Sequence, residues 1–350
     1  MSGKEELLRL CGSMEQLAWA RPVIFQDGRA AGLRCVLVKN GPLEFALLQD
    51  KCLDPAWISY KGINLTFLTK PGLQGRGPWD TAGAEAARAI MCGGMMTCGL
   101  EHVHGWMEWE GKAYPTHGRM RSTPAEKVGV DARFVEESYR IAVTGEMREA
   151  EIFGENLVLR RRVETEYGKA ELIVADEIEN QAFRREPVCL LYHCNFGYPL
   201  LSPESRVILP SLSCTPRDGN AHTEGWDRME PPADSAPEQV FLHRCGADSQ
   251  GNTFGAVVND RLELALCIHW NTRLLPWLTQ WKSTAAGDYA MALEPTNTGL
   301  RGRAEAGDRL APLERLSHTL RFSVVEGKPA IKALEAACER LREMGETTYV

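Results

Sequence analysis

The chain has 350 residues, of which 44% are hydrophobic and 25% are charged, an ordinary composition for a globular protein with a large core. Its formal charge of −7 and the lack of any basic cluster longer than Arg160-Arg161-Arg162 argue against a nucleic-acid-binding surface. No apolar run approaches the roughly 18 residues that cross a bilayer, so we expect neither nucleic acid nor a membrane among the partners.

The start of the chain and its cysteines predict the location of the protein. Lys4, Glu5, Glu6 and Arg9 interrupt the first segment, which therefore lacks the apolar core of a secretory signal. The eleven cysteines are an odd number, and no Cys-x-x-Cys pair occurs among them. This spacing excludes a zinc ribbon and favours reduced, buried thiols. We therefore predict a cytoplasmic protein.

In chain order, the hydrophobic pattern changes from helix to strand and back to helix. Residues 4–18 have the spacing of an amphipathic helix, and from about Gly28 the period changes to two. Strand patterns separated by turn residues then fill most of the chain, which favours an all-β sandwich over alternating β–α units. Helical spacing returns over about residues 328–345. We predict that residues 1–350 form one large β-sandwich domain with a short helix at each end.

A histidine and a glutamate each follow an apolar strand pattern. The run from Val188 to Tyr192 delivers His193 just before turn residues, and the run from Tyr289 delivers Glu294 just before a proline. Side chains at the end of a rigid strand hold a fixed direction. A lone histidine at such a place is usually structural. Together, however, a histidine and a glutamate are the parts of a general acid–base pair.

Two histidine-containing segments carry polar groups suited to a small polar ligand. His117 and Arg119 lie in a predicted loop, where such a pair suits sugar hydroxyls or a carboxylate. His102 and His104 would point to one face of a strand, a spacing that suits two metal ligands. Because no matching third and fourth ligands follow at a usual spacing, we favour a polar pocket wall beside Trp106.

An aromatic segment precedes the glutamate strand. Trp277 and Trp281 flank this segment, and Lys282 follows directly. Apolar sugar faces stack on indole rings while hydroxyls bind charged groups, so the segment is typical of a carbohydrate site, although core packing would also explain one of the tryptophans. Nucleotide binding has no support, because neither a Gly-x-Gly-x-x-Gly nor a Walker motif occurs.

Four of these motifs stand in a recognisable order. They are His117-Gly118-Arg119, Tyr192-His193-x-Asn195-Phe196-Gly197-x-Pro199-Leu200-Leu201, Leu275-Pro276 to Trp281-Lys282, and Leu293-Glu294-Pro295-x-Asn297. This order resembles the aldose 1-epimerase (galactose mutarotase-like) superfamily, and more closely its poorly characterised branch of aldose 1-epimerase family proteins. The similarity covers about residues 30 to 325. It implies a large antiparallel β-sandwich with a carbohydrate site on one sheet face.

The resemblance also implies a reaction and a set of site residues. Glu294 would take the proton from the O1 hydroxyl of a sugar, and His193 would protonate the ring oxygen, so that the ring opens and closes again as the other anomer. No cofactor or metal is implied. For this chemistry Glu294 should be ionised and His193 protonated, so we expect surroundings that favour charge on both groups. The further substrate contacts that we expect are His117, Arg119, Lys282, Asn297, Asn195, Trp281, His102 and His104.

Two other functions stay open on the sequence alone. A metal-dependent sugar isomerase or lyase would use His102, His104, His117 or His193 as ligands, and the paired histidines depart from the usual pattern of the family. A non-catalytic carbohydrate-binding protein would explain the tryptophans but not the acid–base pair. We expect a small-molecule sugar or sugar derivative as the partner. Its class (neutral, acidic or phosphorylated) stays open, as does a homodimer.

Overall fold

The computed structural model of the protein describes residues 3–75, 83–306 and 308–348. Helix α1 spans Lys4–Leu10 and helix α2 spans Lys328–Thr348. The strands, in chain order, are β1 Trp19–Ile24, β2 Arg34–Lys39, β3 Leu43–Leu48, β4 Asp54–Tyr60, β5 Ile63–Asn64, β6 Met95–Leu100, β7 Met107–Trp109, β8 Lys112–Tyr114, β9 Glu126–Val135, β10 Ser138–Ala150, β11 Asn156–Glu166, β12 Glu171–Asn180, β13 Glu186–Phe196, β14 Ser205–Ile208, β15 Ser211–Pro216, β16 Gln239–Cys245, β17 Asn252–Asn259, β18 Leu264–Asn271, β19 Trp277–Ser283, β20 Ala290–Thr296, β21 Asp308–Leu310 and β22 Arg315–Glu326. Short 3-10 turns lie at Met14–Gln16, Gly28–Ala30, Gly83–Arg88, Met120–Ser122 and Gly302–Glu305.

The described strands form two large sheets and two smaller ones. The eight-stranded sheet has the order β14-β17-β18-β22-β12-β11-β10-β9, and the seven-stranded sheet has the order β15-β16-β19-β20-β13-β21, with β6 also paired to β13. Strands β1 to β5 form a five-stranded sheet in sequence order, and β7 and β8 form a hairpin. All of these strand pairs are antiparallel. The predicted all-β sandwich is confirmed.

The main core lies between the eight-stranded and the seven-stranded sheets. Leu159 and Val174 contribute to it from the first sheet, and Tyr192, Met291 and Leu293 from the second. Because side chains alternate across a strand, residues one position away from these last three point to the opposite face of the seven-stranded sheet. That opposite face carries the candidate site.

Because side chains alternate across a strand, Arg161, the middle one of the three consecutive arginines, points into the core. Its guanidinium binds Asp176 at 2.8 and 2.6 Å and Asp54 at 2.5 Å, and Tyr192 donates to Asp176 at 2.7 Å. Buried charges persist only when they are paired and hydrogen-bonded in this way. The cluster therefore holds β4, β11, β12 and β13 together from the core side.

The terminal helices differ in how well they match the sequence pattern. Helix α2 packs Ile331 and Cys338 against the outer face of the eight-stranded sheet, where Val258 and Ala265 lie, close to the predicted 328–345. Helix α1 is shorter than the predicted 4–18, because the chain becomes extended after Leu10 and restarts as a 3-10 turn. No helix in the described part of the chain is long and apolar enough to span a membrane. The assignment of residues 1–350 to one domain stays a prediction.

Glu149 supports the end of β6 and should make stability pH-dependent. Its Oε2 accepts the Leu100 N–H at 2.7 Å, while its buried Oε1 has no partner. Burial raises the pKa of Glu149 to about 8, so the folded protein keeps a proton that the unfolded chain releases above its own lower pKa. Stability is therefore lost as the pH rises through about 8. We expect Glu149→Gln to raise the melting temperature at pH 8 by at least about 2 °C and to have little effect at pH 4.5. An equal shift at both pH values in thermal melts would contradict this assignment.

Candidate active site

The candidate site forms where β13 and β20 lie side by side. Their register pairs Asn195 with Ala292, which sets His193 across from Glu294 on the face away from the core. His193 Nε2 lies 3.1 Å from Glu294 Oε1. The two side chains are 2% and 3% exposed. The structure thus brings together the two residues that the sequence singled out as an acid–base pair.

The prediction that both residues stand at strand ends is wrong. Strand β13 runs from Glu186 through His193 to Phe196, and β20 continues past Glu294 to Thr296. A polar residue at 195 is tolerated inside the strand because its side chain is fully hydrogen-bonded. The pair is therefore held by two paired strands, which is a more rigid support than two turns.

Asn195 orients the imidazole ring. Its Nδ2 donates to the carbonyls of Gly93 at 2.8 Å and His193 at 3.2 Å, so its Oδ1 is left as an acceptor. That oxygen lies 2.7 Å from His193 Nδ1, which places a proton on Nδ1. Nε2 is then the nitrogen that faces Glu294. Asn195, which we expected to contact the substrate, instead positions the histidine.

Burial favours the neutral form of each partner. It lowers the pKa of His193 to about 4, although the hydrogen bond that His193 donates to Asn195 acts in the opposite direction. It also raises the pKa of Glu294 well above its usual range; Glu238 adds to this shift and Arg217 opposes it. The expectation that the surroundings favour charge on both groups is wrong, because desolvation outweighs the polar contacts.

The pair nevertheless holds one proton across a wide pH range. At pH values between the pKa of His193 and that of Glu294, the two side chains share a single proton at the contact between Nε2 and Oε1. The pair is neutral when this proton is on Oε1, and it is an ion pair when the proton is on Nε2. The total charge is the same in both cases. Such a unit can take a proton at one atom and deliver one at the other without exchange with solvent. This is the behaviour that paired acid–base catalysis requires.

Polar and aromatic groups surround the pair. The His117 ring lies edge-on to the His193 ring, with centroids 5.4 Å apart, and the half-buried Trp281 ring lies 6.1 Å from it. Thr279 is the cross-strand neighbour of Glu294. The buried atoms His117 Nδ1 and Thr279 Oγ1 have no hydrogen-bond partner. Buried polar atoms rarely stay unpaired, so we infer that a ligand or water binds here.

Two charged residues, one directly after β15 and one directly before β16, border the site. Trp281 Nε1 donates to Glu238 at 2.8 Å, and Arg217 binds the other oxygen of the same carboxylate at 2.8 Å. The charges of Arg217 and Glu238 both reach Glu294. The indole is therefore held in one orientation by a hydrogen bond, as a stacking surface needs to be.

The two paired histidines play different parts. Strand β6 ends at Leu100, so the prediction that His102 and His104 share one face of a strand is wrong. His102 donates from Nε2 to the Gly105 carbonyl at 2.6 Å and accepts the Arg303 N–H at Nδ1, so it lines no site. His104 has a buried, unpartnered Nε2, and its pKa, lowered by burial to about 4, also responds to His193.

The described residues hold no arrangement of three His, Cys, Asp or Glu side chains that could bind a metal ion. Both ring nitrogens of His102 are hydrogen-bonded to backbone groups, so His102 has no lone pair free for a metal. The metal-dependent alternative gains no support from this geometry.

Three expected substrate contacts point elsewhere. Lys282 follows Trp281 on β19 and so faces the core side, where its Nζ binds the Gly225 carbonyl at 3.1 Å and Glu230 at 3.0 Å. Arg119 binds Glu101 at 2.8 Å. The third is Asn297, directly after β20.

Asn297 joins two strands by their backbones. Its Oδ1 accepts the Leu190 N–H at 2.7 Å, and its Nδ2 donates to the Val188 carbonyl at 2.9 Å. These bonds hold β20 against β13 next to His193 and Glu294. We therefore leave Lys282, Arg119 and Asn297 out of the proposed set of sugar contacts.

The structure also adds residues that the sequence analysis missed. Thr279 could have been found, because on a strand it shares a face with Trp281 two positions later. Arg217 and Glu238 lie at the two ends of the segment between β15 and β16 and carry no motif. Arg121, rather than Arg119, is the buried arginine whose charge acts on His117.

Comparisons with known proteins agree with the fold. The profile of a family described as "Domain of unknown function (DUF4432)" matches residues 30–324, a range that includes β13 and β20. The chain belongs to this family. A search of the curated proteins finds no match for this DUF4432 chain.

Solved structures share the fold of the DUF4432 chain at low identity. A candidate aldose 1-epimerase from Klebsiella pneumoniae is 21% identical, with a TM-score of 0.83 over 93% of this chain and 92% of that one. A galactose mutarotase-like protein from Clostridium acetobutylicum is 13% identical, with a TM-score of 0.63 over 89% and 100%. Galactose 1-epimerase from Lactobacillus acidophilus is 12% identical, with a TM-score of 0.56 over the same shares. The chain therefore has the same fold as these proteins.

Proposed function

We propose that this DUF4432 protein is a sugar 1-epimerase that interconverts anomers by acid–base catalysis without a cofactor. The observation that carries the proposal is the 3.1 Å contact between His193 Nε2 and Glu294 Oε1 on the sheet face away from the core. The shared fold with the candidate aldose 1-epimerase of Klebsiella pneumoniae supports it at the level of architecture.

Ring opening needs the ion-pair form of the catalytic unit. The Glu294 carboxylate takes the proton from O1 of the cyclic sugar, the bond between C1 and the ring oxygen breaks, and His193 Nε2 protonates that oxygen. The products are an open-chain carbonyl sugar, a neutral Glu294 and a neutral His193. Rotation about the bond to C1 presents the other carbonyl face. The reverse proton transfers then close the ring as the other anomer.

The burial of the pair suits this cycle. Desolvation favours the neutral pair, which is the form that accompanies the open-chain sugar. The ion pair that starts each turnover forms by transfer of one proton across the existing contact. Asn195 keeps Nε2, rather than Nδ1, as the reacting nitrogen.

Trp281 should contribute mainly to substrate binding. Its indole lies beside His193 and is held by Glu238, where it can stack on an apolar sugar face. We expect Trp281→Ala to raise KM about 10-fold and to change kcat less, since the proton-transfer groups stay in place. Trp281→Phe, which keeps a ring but no N–H donor, should recover part of the loss. A variant that lowered kcat alone would contradict a binding role.

The proposal is tested by polarimetry on freshly dissolved sugars. The panel should contain neutral aldoses, uronates and sugar phosphates, because Arg217 and Glu238 place both signs of charge at the border of the site. We expect the optical rotation of at least one class to relax faster with the protein than in buffer. If no class relaxes faster, the proposed reaction is wrong.

A further inference from the structure

Five large hydrophobic side chains are exposed at one end of the sandwich, far along the strands from the catalytic pair. They belong to the β7–β8 hairpin and the residue directly before it, the β10–β11 turn and the β12–β13 loop. We call this group the aromatic end, and its members are Trp106, Trp109, Ile152, Phe153 and Phe183. Phe153 and Phe183 are 95% and 90% exposed. Phenylalanine is rarely so exposed unless something covers it.

The three segments of the aromatic end are joined to one another. Lys112 of β8 binds Glu151 of the β10–β11 turn at 2.5 Å. Arg184 of the β12–β13 loop donates to the Phe153 carbonyl at 3.3 Å. Residues of the turn and the loop, including Phe153 and Phe183, also line one shared cavity of about 700 Å³. The exposed side chains therefore form one surface and not scattered single residues.

The size of this surface is suited to a stable interface. From their exposed fractions, the four aromatic rings can bury on the order of 500 Å². A stable protein–protein interface buries roughly 800 Å² on each partner, with an apolar centre and a polar rim. The aromatic end provides most of such a centre, and charged residues at the cavity provide a rim.

The charge of the surface favours a second copy as the partner. The chain carries a formal charge of −7, so two copies repel each other over most of their surfaces. The charged residues that line the shared cavity are Arg148, Arg184, Glu151 and Glu155, two of each sign. Arg184 and Glu151 keep 55% and 53% of their side chains exposed. A two-fold axis through this patch would bring Arg184 of each copy near Glu151 of the other.

We propose that two copies of the chain meet at the aromatic end in a two-fold symmetric dimer. The proposal does not depend on the reaction assigned to the catalytic pair. It does bear on the site, because the β7–β8 hairpin lies between His104 and His117. The His117 N–H donates to the His104 carbonyl at 2.6 Å at the base of that hairpin. A partner that covers Trp106 and Trp109 would hold the hairpin, and with it both histidines, in place.

Molar mass in solution tests the dimer. Light scattering after size-exclusion chromatography, from about 1 to about 100 µM protein, should give twice the 38.9 kDa of one chain. The double variant Phe153→Asp, Phe183→Asp should give the mass of one chain with an unchanged far-UV circular dichroism spectrum. The control Leu10→Asp changes an exposed residue of α1 outside the aromatic end and should remain dimeric. A monomeric wild type, or a double variant that stays dimeric, would overturn the proposal.

Cross-linking provides a second test that does not rely on a disruptive change. Residues near a two-fold axis face their own copies across the interface. Phe153→Cys or Phe183→Cys should therefore form a disulfide-linked dimer under mild oxidation, visible on a non-reducing gel. Leu10→Cys should not. If neither cysteine cross-links more than Leu10→Cys does, the two-fold arrangement at this surface is wrong.

Discussion

Glu294→Gln is expected to lower the rate of anomer exchange by about 10³-fold, because glutamine cannot accept the O1 proton. The amide has nearly the same shape as the acid, and Glu294 is buried beside His193, so the fold should be kept. The measurement is the exchange rate constant at saturating sugar, with a thermal melt of each variant. His193→Gln removes the group that protonates the ring oxygen and should cause a loss of similar size.

Glu149→Gln is the matched control for this experiment. It makes the same chemical change at another buried glutamate with a raised pKa, and that residue has no part in the proposed reaction. Its exchange rate should equal that of the wild type. The double variant Glu294→Gln, His193→Gln should be about as slow as either single variant, since the two groups act as a unit. Full activity of the Glu294→Gln variant would show that Glu294 is not part of the mechanism.

Asn195→Asp is expected to move the acid limb of the pH–rate profile upward by at least about one pH unit. In the wild type, burial holds the pKa of His193 at about 4. Above that pH the catalytic pair holds one proton and is active; below it the pair gains a second proton and Glu294 can no longer act as a base. A carboxylate in place of the amide oxygen, 2.7 Å from Nδ1, stabilises the imidazolium. The second proton then binds at higher pH, and exchange should be lost there.

The direction of this shift separates a positioning role from a purely structural one. Asn195→Ala also removes the hydrogen bond to His193 but adds no charge, so it should lower kcat without moving the acid limb upward. The readout is kcat for anomer exchange between about pH 3 and pH 8 for the three proteins. If Asn195→Asp keeps the acid limb of the wild type, Asn195 does not act through His193.

The sandwich could be predicted, and His193 and Glu294 could be singled out, because both depend on local patterns. Alternating apolar residues mark the strands, and His193 and Glu294 interrupt two long buried runs. Their contact could not be derived from the pattern alone, because it depends on the register of two strands that lie about 100 residues apart. The observed ends of these strands, Phe196 and Thr296, lie beyond the predicted ones. Asn195 looks like a turn residue in sequence, but the Gly93 carbonyl satisfies its amide inside the strand.

Side-chain alternation along β19 distinguishes residues that face the site from residues that face the core. Trp281 and Lys282 are neighbours on one strand, so only one of them can face Glu294. The same rule favours Thr279, which shares that face and was missed. No comparable rule predicts the direction of a side chain in a loop. Arg119 binds Glu101, while the charge of the buried Arg121 acts on His117, and nothing in the local sequence distinguishes the two arginines.

The most direct test of the acid–base assignment is NMR saturation transfer between the two anomer resonances of a sugar at equilibrium. The comparison is between wild type and Glu294→Gln, each with and without EDTA. We predict transfer in the wild type that is faster than in buffer, is unchanged by EDTA and is absent in Glu294→Gln. Transfer that EDTA abolishes, or no transfer with any aldose, uronate or sugar phosphate, would contradict cofactor-free catalysis by His193 and Glu294.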